Sequence, residues 1–288
     1  MKIALGSAQF GMQYGINNSS GRVGQEDLFK ILRIASENNI TTIDTAINYG
    51  ESESSLGEIG VDSFNVVSKL PPLIDGELDI ENWVFAEVQD SIARLRKSQL
   101  GGLLLHNPAD LLSNKGDQLY EALRNIKLSG LVEKIGISIY SPSELDEIHK
   151  KYDLDIVQAP YNLIDRKIET SGWLQRLFEA GIEVHARSVF LQGLLLISTK
   201  DKIPCHFKPW KSLLETWWNW LEEGQFDPVK ACLSFVLSKQ EVNKVIVGVD
   251  SSSQLKGILS LLKDPDYSSW PDLSSEEEML INPSNWKQ

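Results

Sequence analysis

The chain has 288 residues, 42% of them hydrophobic and 24% charged, a balance that suits a globular protein and excludes a disordered or membrane-embedded one. The length fits one large barrel or two average domains. A formal net charge of −12 argues against a binder of nucleic-acid backbone, although an acidic total leaves room for a local basic pocket.

A short apolar run followed by a helical pattern recurs along the chain. The first run, Ile3–Ala8, reads as a strand, and Gln25–Asn38 as a helix with Leu28, Ile31, Leu32 and Ala35 on one face. Strands Thr41–Asp44 and Asn65–Lys69 come next, then helix Glu81–Lys97 with Val84, Phe85, Val88, Ile92 and Leu95. Strand Gly102–His106 precedes helix Asp117–Ser129, and strand Lys134–Ser138 precedes helix Ser143–Lys151. The last units are Ile156–Gln158 with Ile168–Ala180, Glu183–Ala186 with Pro228–Lys239, and Lys244–Gly248 with Ser251–Leu262. Short β-branched runs suit buried parallel strands, and Ser129-Gly130 and Ala180-Gly181 fall where helices should stop.

Eight strand–helix units predict a single (β/α)8 TIM barrel over residues 1–288, with a C-terminal extension from about residue 264. An open doubly wound sheet competes, but Gly6-Ser7-Ala8-Gln9-Phe10-Gly11 lacks the G-x-G-x-x-G spacing of its nucleotide turn. The long connection from Leu196 to about Lys211, with Pro204 and Pro209, is expected to act as a lid or substrate wall. Trp210, Trp217, Trp218 and Trp220 share a predicted helix with Leu213, Leu214 and Leu221, a stripe that reads as packing.

Four residues at strand ends carry the chemistry: Asp44, Tyr49, Lys69 and His106. Parallel strands bring their carboxyl ends to one mouth, so an acid, a phenol, an amine and an imidazole would converge there. A phenol with a reference pKa of about 10 is a weak proton donor at neutral pH, and a neighbouring ammonium is expected to lower it. Lys69 would play that part while Asp44 holds Lys69, and His106 would orient a substrate oxygen. Such a device suits protonation of the oxyanion formed when hydride reaches a carbonyl carbon, and the hydride requires a nicotinamide cofactor. Singly, each residue has an ordinary explanation: a helix cap, a loop aromatic, a solvated strand end, a core histidine. Their joint occurrence in this order favours the chemical reading.

The ordered blocks resemble those of the aldo/keto reductase family. Thr42-Ile43-Asp44-Thr45-Ala46-Ile47-Asn48-Tyr49-Gly50 and Ser52-Glu53-Ser54-Ser55-Leu56-Gly57 are similar to its signature. Val67-Ser68-Lys69, Leu104-Leu105-His106-Asn107-Pro108, Lys134-Ile135-Gly136-Ile137-Ser138 and Gln158-Ala159-Pro160-Tyr161-Asn162 match further blocks. The resemblance implies an NAD(P)(H)-dependent enzyme interconverting aldehydes or ketones with alcohols. Tyr49 would be the general acid, tuned by Lys69 and Asp44, with His106 positioning the carbonyl. NADP(H) comes first as cofactor on the resemblance, with NAD(H) as the alternative. Its carboxamide would meet Ser138 and Gln158, and Ser7 is a further expected cofactor-binding residue. Pyrophosphate and ribose would follow Arg187, Ser188, Phe190, Gln192 and Gly193. Adenosine would lie along Gly248, Asp250, Ser251 and Gln254, with backbone amides cradling phosphate. Phe10, Tyr14, Asn107 and Trp210 are the expected substrate-pocket residues.

Three positions depart from the family pattern. Ile139 stands where an asparagine is usual, Asp250 where many members carry a base beside the 2′-phosphate, and Ile258 where an asparagine contacts adenine. Two rival readings are a non-catalytic cofactor-binding regulatory subunit and a lyase or aldolase forming a Schiff base on Lys69. In the second, the ion pair with Asp44 is expected to raise the lysine pKa, against the chemistry. The expected partner is a small-molecule carbonyl or alcohol, with neither nucleic acid nor membrane, and the oligomeric state is left open. No metal site is expected: His149, His185 and His206 lack ligand spacing, and Cys205 and Cys232 read as free thiols of a cytoplasmic chain.

Overall fold

Strands and helices alternate from end to end: β1 Ile3–Gly6, β2 Thr42–Asp44, β3 Asn65–Leu70, β4 Gly102–Leu105, β5 Ile135–Ser138, β6 Ile156–Pro160, β7 Glu183–Arg187 and β8 Val242–Gly248. The computed structural model describes every residue except 17, 19, 20, 75, 77, 78, 198–202, 264–268, 287 and 288. Each strand pairs in parallel with its sequence neighbour, and β8 returns to β1 through Ile3↔Val245 to Gly6↔Gly248, closing the expected eight-stranded barrel. Register sets Gly6 beside both Asp44 and Gly248, and Ser138 beside Gln158, so these positions share one rim.

Strand alternation explains why the rim is polar over an apolar interior. Side chains two residues apart face the same side of a strand. Val67, Leu104 and Ile156 form a small buried cluster of their own. They lie two residues before Lys69, His106 and Gln158, and so make the floor on which those polar groups stand. Gly136 completes the layer, because a Cβ there would lie 2.0 Å from the Ile156 carbonyl oxygen.

Helices Ala8–Gly11 and Ser52–Ile59 are among those not anticipated, and the segment expected as one helix over Ile168–Ala180 is two. Gly172 takes a left-handed φ of +79° and separates Lys167–Thr170 from Trp173–Glu179. Helix Ser52–Ile59 lies flush on helix Ile80–Leu95, with room only for a glycine at position 57. Beneath it, the buried Glu53 accepts from Ser68 and Ser91 at 2.6 Å and pairs with Arg94 at 2.8 Å.

The tryptophan-rich helix, Lys211–Gly224, packs on the segment after β7, as the packing reading expects. The buried indoles of Trp217 and Trp218 donate to the carbonyls of Leu195 at 3.0 Å and Ile197 at 2.7 Å. The expected start of the C-terminal extension, residues 264–268, lies outside the described residues, as does part of the expected lid, 198–202. Beyond 268 the chain is tied back to the barrel: Trp270 donates to Ala231 O at 3.1 Å, Ser275 N to Ile164 O at 2.9 Å, and Leu273, Leu280 and Ile281 are buried. Among the described residues, no helix is long and apolar enough to cross a membrane.

Candidate active site

Asp44 closes β2 and Lys69 lies beside it in β3, both buried. Lys69 Nζ donates to Asp44 Oδ1 at 2.8 Å and Oδ2 at 2.7 Å and to Thr45 O at 2.8 Å, which uses all three ammonium protons. Tyr49 sits on the loop after β2, with its ring face 5.1 Å from Lys69 Nζ and its ring 5.9 Å from that of His106, edge to face. The four side chains therefore meet at the C-terminal rim.

The Tyr49 loop is held by two glycines that touch. A Cβ at Gly11 would lie 1.7 Å from Tyr49 O, and Gly50, at φ +56°, would bring one 2.6 Å from Gly11 O. Any side chain at either position would push the phenol off its perch. Below, Ser52 Oγ donates to Ser7 O at 3.0 Å and approaches Ser7 Oγ at 2.7 Å and Thr45 Oγ1 at 3.1 Å, a buried polar knot joining β1 to the same loop.

The electrostatics correct two expectations. The Tyr49 phenol is not made more acidic: burial, then the negative charge of Asp44, raises its pKa, and only Arg187 among the nearby cations opposes this. Lys69, tied to Asp44, sits 5.1 Å from the ring centre and offers no spare proton to the hydroxyl. Nor is the Lys69 pKa raised; complete burial lowers it, and the pairing with Asp44 offsets only part of that. His106 is pushed down to about 4, first by burial and then by the charges of Lys69 and Arg187, so its imidazole is neutral at neutral pH.

A cavity of about 310 Å³ opens over the tetrad, within the usual size range of small-molecule sites. Tyr49, His106, Ser7, Ser138 and Gln158 form its inner wall. Arg187, Ser188, Phe190, Gln192 and Gly193 line one side, and Gly248, Asp250, Gln254 and Ile258 the far end. Ser138 Oγ donates to Gln158 Oε1 at 3.2 Å, and Gln158 Nε2 donates to Asp44 Oδ1 at 2.6 Å. Ile139 is buried and brings no polar side chain to this wall.

Several expected residues are elsewhere. Phe10 is wholly buried in the hydrophobic core, because the turn Ala8–Gly11 is helical and points it inward. Asn107 donates to Asp110 Oδ1 at 2.7 Å, and Trp210 donates its indole N–H to Glu277 at 2.8 Å; neither lines the cavity. Ser251 is absent from the wall too, because it caps helix Ser252–Leu261 by accepting from Gln254 N. The backbone amides expected to cradle phosphate are occupied: Ser252 N donates to Asp27 at 2.7 Å and Asp250 N to Gln254 Oε1 at 2.7 Å. Tyr14 does line the cavity, and its hydroxyl accepts from Gln192 Nε2 at 3.1 Å.

Sequence reasoning missed Gln9, Asn18 and Tyr140 on the wall, and Asn162 behind it. Asn18 donates to Asp250 Oδ1 at 3.2 Å, joining the first βα loop to the one after β8. Asn162 donates to Ser188 O at 3.0 Å and steadies a strained stretch in which Ser188, Leu191, Gln192 and Gly193 all have positive φ. The block Tyr161-Asn162 was visible as a family match, but nothing local to it pointed to the β7 loop.

A family model for the aldo/keto reductase family matches residues 2–270. The chain belongs to this family of oxidoreductases. It is 25% identical to aldo-keto reductase YhdN of Bacillus subtilis over 52% of its own length, and that match spans about half (48%) of the relative. It is 24% identical to the L-glyceraldehyde 3-phosphate reductase of Escherichia coli, over 89% of this chain and 85% of that one. The holo form of aldo-keto reductase AKR11C1 from Bacillus halodurans superposes with a TM-score of 0.71 at 19% identity, covering 93% of this chain and 88% of that one, which shows the shared fold.

Proposed function

We propose that this aldo/keto reductase family member is an NAD(P)(H)-dependent enzyme that interconverts an aldehyde or ketone and its alcohol. The observation that carries the reading is the single cavity onto which Tyr49 and His106 face, backed by the buried Asp44–Lys69 pair. The donor set fits a nicotinamide carboxamide, because Ser138 and Gln158 stand side by side on the wall beside the tetrad. A nicotinamide held there supplies or accepts the hydride at the carbon of the carbonyl.

The chain's own residues manage the oxygen. Neutral His106 donates one N–H hydrogen bond to the carbonyl oxygen and fixes its direction. The raised pKa of Tyr49 keeps its phenol protonated through neutral pH, so the proton is in place whenever an alkoxide forms. An alkoxide is a stronger base than a phenolate, so the transfer runs downhill even from this less acidic phenol. Lys69 and Asp44 fix the rim beneath, and Arg187 is the cation whose charge favours the phenolate left behind.

The lyase reading is disfavoured by geometry rather than by pKa. Burial does lower the Lys69 pKa as a Schiff-base lysine needs, but Nζ is 0% exposed in its side chain and fully engaged. A purely regulatory cofactor binder would not require Tyr49 and His106 at the cavity face. The test is fluorescence binding of NADPH and NADH, then a panel of aldehydes and ketones with the preferred one. Binding without turnover on a broad panel would support the regulatory reading instead.

A further inference from the structure

Arg187 closes β7 but does not remain on its own side of the cavity. Its guanidinium donates to Ile139 O at 2.9 Å and to Ser188 Oγ at 3.3 Å, and lies 4.5 Å from the centre of the Tyr140 ring. Ile139 and Tyr140 follow β5, so the side chain reaches across β6 to the corner where Ser138 stands. It is half-buried on the wall that also carries Tyr49 and His106.

This cation feels Asp165 only at a distance and has no direct ion pair. Among the described residues no carboxylate lies within 4.0 Å of it, whereas Lys69 is neutralised by Asp44. A guanidinium has five N–H donors, and the two contacts above leave donors available. Its charge is felt at the reacting end, where it helps hold His106 neutral and opposes the rise at Tyr49. Removing a charge partly from water without pairing it is costly, so a site of this kind gains most from an anion. Stacking on Tyr140 and the bond to Ile139 O pre-organise the fork, which lowers the entropy cost of gripping a carboxylate or phosphate.

We propose that Arg187 is the specificity-determining residue for substrate, and that the preferred substrates are short carbonyl compounds carrying a carboxylate or phosphate group. This deepens the carbonyl-reductase reading and rests on it. The competing claim on Arg187 is the pyrophosphate of the cofactor. The side chain is turned toward β5 through Ile139 O and Tyr140 rather than toward the Gly248–Gln254 end, which argues against the pyrophosphate.

Matched pairs test it: 4-oxobutanoate against butanal, and glyceraldehyde 3-phosphate against glyceraldehyde, each read as kcat/KM. The anionic member of at least one pair is expected to be favoured about tenfold or more through KM, and the pair that responds tells carboxylate from phosphate. Arg187→Met should collapse that ratio toward one, and Arg187→Lys should keep part of it. Calorimetry of succinate and of inorganic phosphate with the cofactor-loaded protein gives a readout free of turnover, in which Arg187→Met should lose about tenfold or more of the affinity. Thermal melting checks that both variants fold, and the lysine variant stands in if the methionine variant does not.

No anion preference in the wild type, or one that survives Arg187→Met, overturns the assignment. A loss of NADPH affinity as large as the loss of anion affinity also overturns it and gives Arg187 to the pyrophosphate. Anion binding through Arg187 without reduction of any carbonyl would sink the reductase reading and leave Arg187 as an anion site. Reduction of neutral and anionic aldehydes alike would do the reverse.

Discussion

The side-chain amide of Gln158 donates to Asp44 Oδ1 across 2.6 Å, tying the end of β6 to the buried ion pair at the ends of β2 and β3. The wall that is proposed to receive the nicotinamide is thus bonded directly to the groups beneath Tyr49, the proposed proton donor. Gln158→Glu keeps the shape of the side chain and replaces the donor with a second carboxyl against Asp44. Two carboxyls so close cannot both ionise, so the variant is expected to lose at least about 2 kcal/mol of stability near pH 7. Lower pH should recover part of the loss as the new carboxyl protonates. Chemical denaturation at pH 7 and pH 5 measures this; equal losses at both would show that Gln158 and Asp44 are not coupled.

Tyr49→Phe removes the transferable proton and little else. Carbonyl reduction should fall by about a hundredfold or more, the lower range of general acid catalysis, with cofactor affinity nearly unchanged. Near-normal turnover on a validated substrate would remove Tyr49 from the mechanism.

Lys69→Met strands the buried Asp44 carboxylate and should cost about 3–5 kcal/mol, enough to confuse any activity assay. The double variant Asp44→Asn with Lys69→Met leaves no buried charge at the pair. It should recover most of the stability and none of the activity. A double variant that regains turnover would make the pair a structural support alone.

Much of this was legible from local pattern. Short apolar strands alternating with amphipathic helices gave the barrel, because each face must be buried by the next unit. The tetrad was legible because strand ends of a parallel barrel converge. Phe10 misled because its place between the first strand and the first expected helix suggested a loop at the mouth, whereas a helical turn over Ala8–Gly11 drives the ring into the core. Arg187 was visible as a residue of the β7 block, but its reach to Ile139 and Tyr140 depends on barrel curvature that no periodicity records. The pKa of Tyr49 escaped for a similar reason: charge neighbours are suggested by sequence, while desolvation depends on how the cavity closes.

His106 offers a pH test with a definite sign. Its folded pKa of about 4 lies below the ordinary histidine value of 6.5, so between these values the unfolded chain binds a proton that the folded chain does not. The histidine therefore costs stability as pH falls from 6.5 to 4. Asp165, raised by burial to about 6, acts in the opposite sense and gains stability as pH falls toward 3.8. The wild-type curve alone thus mixes both. The difference between wild type and His106→Gln isolates the histidine, and it should shift against the wild type by about 2 kcal/mol from pH 7 to pH 4. An imidazole resonance titrating near 6.5 would contradict the neutral-donor role.

Cofactor choice turns on the far end of the cavity. Family resemblance favours NADP(H), yet Asp250 lines that end, its carboxylate held by Asn18 at 3.2 Å. Asp27 caps the same turn by accepting from Ser252 N at 2.7 Å and Ser252 Oγ at 2.6 Å. Lys256 is exposed on the helix beyond and lines no part of the wall. Two like charges about 4 Å apart repel by around 1 kcal/mol even in bulk water, and a 2′-phosphate beside Asp250 meets that penalty without a compensating base. A ribose diol, by contrast, can donate to the carboxylate. Discrimination between NADPH and NADH is therefore expected to be weak, within about tenfold. Asp250→Asn should shift the ratio of dissociation constants toward NADPH, and Asp250→Arg should shift it further, by about tenfold or more. Fluorescence titration of both cofactors against the three proteins decides it. A strong NADPH preference in the wild type that Asp250→Arg fails to increase would mean that the 2′-phosphate is bound away from this turn.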